Sequence, residues 1–189
     1  MEQYSTIVSG FGGQGVILTG KIIARTGMEE DLEVAWLPSY GPEMRGGTAN
    51  CTAIISSDLI GSPVVKEPSS LIAFNKPSLE KFGPNVKENG LVVLNSSLID
   101  DYSLSSSLNV IALPINQIAN KLGNQRVLNM VALGGWSKAS GKLSLSALKK
   151  GMKRTLEESG KGEFVEINEK ALEEGYETVK QGAKKSVIK

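Results

Sequence analysis

Two short glycine-rich segments hold the residues best able to do chemistry. The first is Gly10-Phe11-Gly12-Gly13-Gln14-Gly15, in which Gly10, Gly12 and Gly15 satisfy G-x-G-x-x-G. Glycines at this spacing let a strand turn sharply into a helix, and they bare N–H groups at the helix N-terminus, where an anion is welcome. A tight turn that packs a helix on a sheet, with no ligand, explains the same residues equally well. A dinucleotide site would also need an acidic residue at the end of the second strand, about 20 residues on. Here that strand ends Trp36-Leu37-Pro38-Ser39, and Asp31 and Glu33 lie at its start, which speaks against an NAD enzyme. No Gly-Lys-Ser/Thr follows the turn, so a Walker A loop is excluded.

The second segment runs from Ser39 to Thr48, Ser39-Tyr40-Gly41-Pro42-Glu43-Met44-Arg45-Gly46-Gly47-Thr48. It follows a strand, so it is expected at that strand's carboxyl end beside the first glycine turn, the edge where open α/β sheets hold ligands. Pro42 holds Gly41 extended, Gly46 and Gly47 permit close approach of another backbone, and Arg45 offers a fork of donors for a carboxylate or phosphate. Tyr40 and Met44 would supply adaptable contact surface. Glu43 and Arg45 neutralising each other in a plain turn is the rival reading. The density of restrained, free and charged positions favours function.

Other candidates carry less. Cys51 sits in an expected strand, where a small buried hydrophobe is the commoner role. Asn129, with Gly134-Gly135 further along its helix, could face the same cleft, although helix–sheet packing more often accounts for such glycines. Lys149, Lys150, Lys153 and Arg154 read as a solvated basic face, and Trp36 and Trp136 as core.

The elements that must position these residues follow from the apolar pattern. Tyr4–Ser9, Val34–Leu37 (closed by Pro38), Thr48–Ser56, Ser70–Phe74, Leu91–Leu94 and Asn109–Leu113 read as strands. Helices are expected after the glycine turn, over Pro77–Phe82, from Ile115 to Leu122, from Val127 to Trp136, over Ser146–Glu158 and over Glu169–Lys184. In the last of these, Leu172, Tyr176 and Val179 form the apolar stripe, and Glu173 and Glu174 face solvent. The expected fold is α/β: one domain over 1–189 with an open, mostly parallel sheet, helices on both faces and a Rossmann-like glycine turn. The Thr48–Ser56 strand is the candidate for running antiparallel.

Composition narrows the chemistry. The 189 residues include 21 Lys+Arg, 20 Asp+Glu, one Cys and no His. A net charge of +1 gives no field for nucleic acid or an anionic membrane. Without His there is no Ser-His-Asp or Cys-His site, and a lone Cys51 holds neither a disulfide nor an iron–sulfur cluster. The Met1-Glu2-Gln3-Tyr4 start lacks a signal-peptide pattern and no apolar run reaches membrane length, so the expectation is a cytoplasmic chain. No catalytic residue and no metal ligand is expected in it, and any redox centre it serves belongs to something else.

Gly10-Phe11-Gly12-Gly13-Gln14-Gly15 with Gly20, and Pro38 to Thr48 (PSYGPEMRGGT), together resemble the γ subunit of the 2-oxoacid:ferredoxin oxidoreductases. Ser56–Val65 and Asn129 with Leu133-Gly134-Gly135 are similar too, so the likeness spans Ile7 to Trp136. The 2-oxoglutarate and branched-chain members look nearest, with 2-oxoglutarate the first choice. The resemblance implies oxidative decarboxylation of a 2-oxoacid to acyl-coenzyme A with reduction of ferredoxin. Thiamine diphosphate, Mg and iron–sulfur clusters would lie in partner subunits, because this chain lacks the Gly-Asp-Gly signature and the cluster cysteines. The partners would be thiamine-binding α and β subunits, with a ferredoxin-like δ subunit as a further candidate; ferredoxin accepts the electrons and coenzyme A is co-substrate. On this reading Gly12, Gly13, Gln14, Gly15, Arg45, Gly46, Gly47 and Thr48 face coenzyme A or another anion. Ser39, Tyr40, Gly41, Pro42, Glu43 and Met44 then meet the partner. A free-standing nucleotide- or coenzyme-binding protein and a purely structural scaffold are the alternatives.

Overall fold

The computed structural model describes residues 2–40 and 48–180. The chain order is β1 (Tyr4–Phe11), α1 (Val16–Glu29), β2 (Glu33–Tyr40), β3 (Thr48–Ser56), β4 (Ser70–Ala73) and α2 (Lys76–Phe82). There follow β5 (Leu91–Asn95), β6 (Asn109–Leu113), α3 (Ile115–Lys121), α4 (Leu128–Ser140), α5 (Leu145–Glu158) and α6 (Val165–Lys180). The strands form one six-stranded sheet in the order β2-β3-β1-β4-β5-β6. Strand β3 runs antiparallel to β1 and β2, and β4, β5 and β6 continue parallel to β1. The mostly parallel α/β sheet with one antiparallel strand is therefore as the sequence reads.

Period-two alternation divides the sheet's side chains between two cores. Val8, Cys51, Ile55, Ile72 and Val93 face α1, α3, α4, α5 and α6. Ile7, Leu71, Ala73, Val92 and Leu94 face the opposite way, covered by Leu79 of α2 and by Ile99. Helices thus lie on both faces, unequally. Fully burying an aliphatic side chain of this size contributes roughly 1.5–3 kcal/mol, so the five-helix face holds most of the stabilising area. Trp136 is fully buried there and donates its Nε1–H to Ser70 Oγ at 3.0 Å, which satisfies the indole's polar handle.

Two expectations need correction. Pro38 does not close β2, which runs on to Tyr40 with Pro38 opposite Cys51. Strand β2 is the sheet's edge, where a missing N–H need not break a ladder bond. Helix α6 begins at Val165, ahead of Glu169, because Val165 and Ile167 pack on the core; its expected end at Lys184 lies outside the described residues. The basic face of α5 is solvated as expected: Lys150, Lys153 and Arg154 are exposed, and the pairs Lys149–Glu173, Arg154–Glu29 (3.3 Å) and Lys153–Glu157 (3.9 Å) lie at the surface. Glu173 and Glu174 of α6 are likewise exposed.

Candidate functional site

Strand β1 lies where the chain's path across the sheet reverses: β2 and β3 stand on one side of it, β4 and β5 on the other. In open α/β sheets the crevice at the carboxyl ends of such strands receives ligands. Two segments meet there, the glycine turn after β1 and Asn75 after β4.

The turn is closed by backbone and side chain together. Gln14 N–H donates to Phe11 O at 3.1 Å, and Phe11 N–H donates to Gln14 Oε1 at 2.6 Å. Gly13 and Gly15 take φ of 95° and 72°, left-handed values that favour glycine. Gln14 Oε1 accepts a second hydrogen bond, from Asn75 Nδ2 at 3.2 Å, and so bridges the crevice. Asn75 is fixed in turn: its Oδ1 caps α2 by accepting from Ser78 N–H at 2.9 Å, and Ser9 Oγ donates to Ser78 Oγ at 3.0 Å. From the other side Asn129 of α4 reaches Gly15 O at 3.5 Å, and a Cβ on Gly15 would come within 2.6 Å of the Asn129 side chain. Asn129 therefore does face the cleft.

Helix α1 starts on Gly15, has no side-chain cap and carries no acid in its first turn. Its positive end and first N–H groups are uncompensated and point to the crevice. Gly12, Gly13, Gln14, Gly15, Asn75 and Asn129 bear no titratable side chain. The arrangement can bind and orient an anion or a carbonyl by hydrogen bonds, and none of these six side chains moves a proton.

The second sequence-read segment is anchored at the same edge. Tyr40 stands opposite Ala49 and Ser39 opposite Asn50, while Thr48, exposed, stands opposite Phe11 at the end of β1. The described ends of the segment thus lie at this edge of the sheet, with Thr48 beside the end of β1 and Tyr40 one strand further out. Gly41, Pro42, Glu43, Met44, Arg45, Gly46 and Gly47 lie outside the described residues.

Cys51 is buried, donates its thiol to Val16 O at 3.3 Å, and burial pushes its pKa up to about 12. It is a packing residue. Gly20, opposite it, has room only for hydrogen: a Cβ there would lie 2.3 Å from Cys51 Sγ. Gly134 serves helix–helix contact in place of helix–sheet packing, with its Cβ position 2.0 Å from Leu172 O of α6. Gly135 does meet the sheet, at Leu113. Among the described residues no group of three or more His, Cys, Asp or Glu is placed to hold a metal, and no helix is long and apolar enough to cross a membrane.

Sequence reading missed the asparagines that follow the strands. Besides Asn75, buried Asn95 at the end of β5 donates Nδ2 to Phe74 O at 3.2 Å and to Asn116 Oδ1 at 2.7 Å, tying β4, β5 and α3 together. The signal was present: an Asn directly after each apolar run, in Phe74-Asn75-Lys76-Pro77-Ser78 a helix cap with Pro just inside.

Residues 5–178 match the family model described as pyruvate ferredoxin/flavodoxin oxidoreductase. The chain is 38% identical over 170 residues to the ketoisovalerate oxidoreductase subunit VorA of Methanothermobacter marburgensis, covering 89% of this chain and 35% of that one. It therefore spans about a third of the length of that relative. It is 31% identical over 177 residues to the 2-oxoglutarate synthase subunit KorC of Methanocaldococcus jannaschii, covering 92% of each. Among solved structures, the keto/oxoacid ferredoxin oxidoreductase γ subunit from Geobacter sulfurreducens superposes with a TM-score of 0.80 at 30% identity, over 95% of this chain and 99% of that one.

Proposed function

The chain belongs to the pyruvate ferredoxin/flavodoxin oxidoreductase family, and on that premise we propose that it is the γ-type subunit of a cytoplasmic 2-oxoacid:ferredoxin oxidoreductase. Its substrate class is 2-oxoglutarate or a branched-chain 2-oxoacid, with 2-oxoglutarate first; relatives named for both kinds support the class. The partners are thiamine-binding α and β subunits and a ferredoxin-like δ subunit, with ferredoxin as acceptor. Thiamine diphosphate, Mg and iron–sulfur clusters in those partners supply the decarboxylation and electron transfer.

This chain's contribution is binding. The observation that carries the reading is the glycine turn bridged to Asn75 at the reversal point of the sheet, with an uncompensated helix end. There the N–H groups of Gly12, Gly13 and Gly15 receive an anionic or carbonyl oxygen of coenzyme A, while Gln14, its own N–H held by Phe11 O, braces the turn that presents them. The turn is braced by Gln14–Asn75 and Asn129–Gly15 before any ligand arrives, so little ordering entropy is lost on binding. Arg45, Gly46, Gly47 and Thr48 complete the anion-facing side, and Ser39 to Met44 meet the thiamine-binding partner.

The test is co-expression with the partner subunits. 2-Oxoacid-dependent reduction of ferredoxin, coupled to acyl-coenzyme A formation, should require this chain. Equal activity from a complex lacking it would remove the proposal.

A further inference from the structure

At the amino end of the sheet a groove of about 550 Å³ opens beneath β1, β5 and β6, with the ends of α4 and α6 along one side. The eight residues of β1 separate it from the glycine turn by about 23 Å. Leu91, Ile111 and Val179 make its walls apolar, and Tyr4 lines it beside them. The Tyr4 ring is held in place: its hydroxyl is hydrogen-bonded to Ser70, and the ring lies 6.3 Å from that of Trp136, tilted by 57°.

Two ammonium groups face this apolar space. Lys142 Nζ sits 5.1 Å from the centre of the Tyr4 ring, and a ring face fixes an ammonium without cancelling its charge. Lys87 opens the turn before β5, which Gly90 N–H closes by donating to Lys87 O at 2.8 Å. Neither lysine has a carboxylate partner among the described residues. Glu2, exposed, is the one carboxylate among the described residues of the lining, so the balance of charge there is positive. The carboxyl end of α4 does not account for Lys142. Lys138, in the last turn of that helix, already supplies the cation such an end favours, 4.8 Å from the centre of the Tyr176 ring.

We infer that this groove binds a small aliphatic carboxylate, its oxygens received by Lys87 and Lys142 and its hydrocarbon body by Leu91, Ile111, Val179 and the Tyr4 ring. The volume falls within the roughly 300–1,000 Å³ of small-molecule sites, and the apolar walls select an organic acid over an inorganic anion. The inference stands apart from the glycine-turn reading, since none of these residues belongs to that turn and the two sites lie at opposite ends of β1.

Titration calorimetry of the full chain with acetate, isovalerate, glutarate and inorganic phosphate tests it. Each methylene taken out of water strengthens binding about fourfold, so isovalerate or glutarate should bind at least about tenfold more tightly than acetate or phosphate. Lys87→Gln and Lys142→Gln should each weaken that binding about tenfold while the chain stays folded by circular dichroism, and Lys142→Arg should retain it. Isovalerate ahead of glutarate assigns one carboxylate shared by the two lysines; glutarate ahead assigns one carboxylate to each. Coenzyme A should not displace either acid. The inference is overturned by no carboxylate binding at millimolar concentration, by acetate or phosphate binding as tightly as the longer acids, by displacement with coenzyme A, or by a K87Q/K142Q double variant that binds normally.

Discussion

Gln14→Glu should stabilise the chain and weaken its ligand at once, a pair of opposite signs that separates an anion cradle from a packing turn. Glu keeps both hydrogen bonds accepted by Gln14, from Phe11 N–H and Asn75 Nδ2. It adds one negative charge at the start of α1, which has no acid in its first turn. Without ligand, a carboxylate there is worth roughly 0.3–1 kcal/mol of stability at low salt. The hydrogen bonds it accepts lower its folded pKa, so the gain is present at neutral pH and lost as pH falls through that value. With ligand the sign reverses. An oxyanion held by the turn's N–H groups would sit about 6 Å from the new charge, and at an effective dielectric of about 40–80 the repulsion is about 0.7–1.4 kcal/mol, a three- to tenfold loss of affinity. The assays are urea unfolding of the isolated chain and the coenzyme A KM of the co-expressed complex at two ionic strengths, kcat being unchanged. A KM equal to wild type, with the stability gain intact, would refute an anion at this turn.

Three further outcomes follow from the packing. Asn75→Asp should retain the cap of α2 but set two acceptors face to face at Gln14 Oε1 in a buried place, so stability should fall by about 1–3 kcal/mol and the coenzyme A KM should rise; Asn75→Ala should lose about 1 kcal/mol with the cap and the Gln14 bridge besides, both read by urea unfolding. Gly175→Ala places a Cβ 2.0 Å from Val131 O, a backbone atom that cannot swing aside, and should cost at least about 3 kcal/mol by calorimetry. The Cys51 thiol ionises near 9.0 in the unfolded chain and near 12 in the fold. The fold therefore binds the extra proton between those values, and stability falls as pH rises through that window, by up to about 1.4 kcal/mol per unit. A Cys51→Ala chain should lack this component of the pH slope in parallel urea titrations, and an identical slope would show that the thiol ionises as readily in the native state as in the unfolded chain.

The glycine turn was legible because its chemistry is local: a β-branched run, glycines at fixed spacing, then helical periodicity from Val16. The antiparallel course of β3 was legible for a related reason, the short stretch between it and β2. What turned the glycine segment into a braced site was not, since Gln14 and Asn75 are 61 residues apart and Asn129 lies 114 residues from Gly15. Nothing in a single chain pairs one amide with another at such distances. Pro38 misled because a proline ends a central strand but not an edge strand, and edge position is a property of the whole sheet. The start of α6 was placed late because Val165 and Ile167 resemble a strand fragment until the core they pack on is known. The pairing of Lys149 with Glu173 likewise depends on α5 lying against α6, which periodicity does not specify.

The central claim is that this chain shapes a binding edge for catalysis carried out on its partners. The most direct measurement is 2-oxoacid-dependent reduction of ferredoxin by three preparations side by side: the chain alone, the thiamine-binding subunits alone, and the two co-assembled. Turnover is expected only in the third, saturable in coenzyme A. Turnover by the isolated chain, or full coenzyme A-dependent turnover by the partners without it, would contradict it.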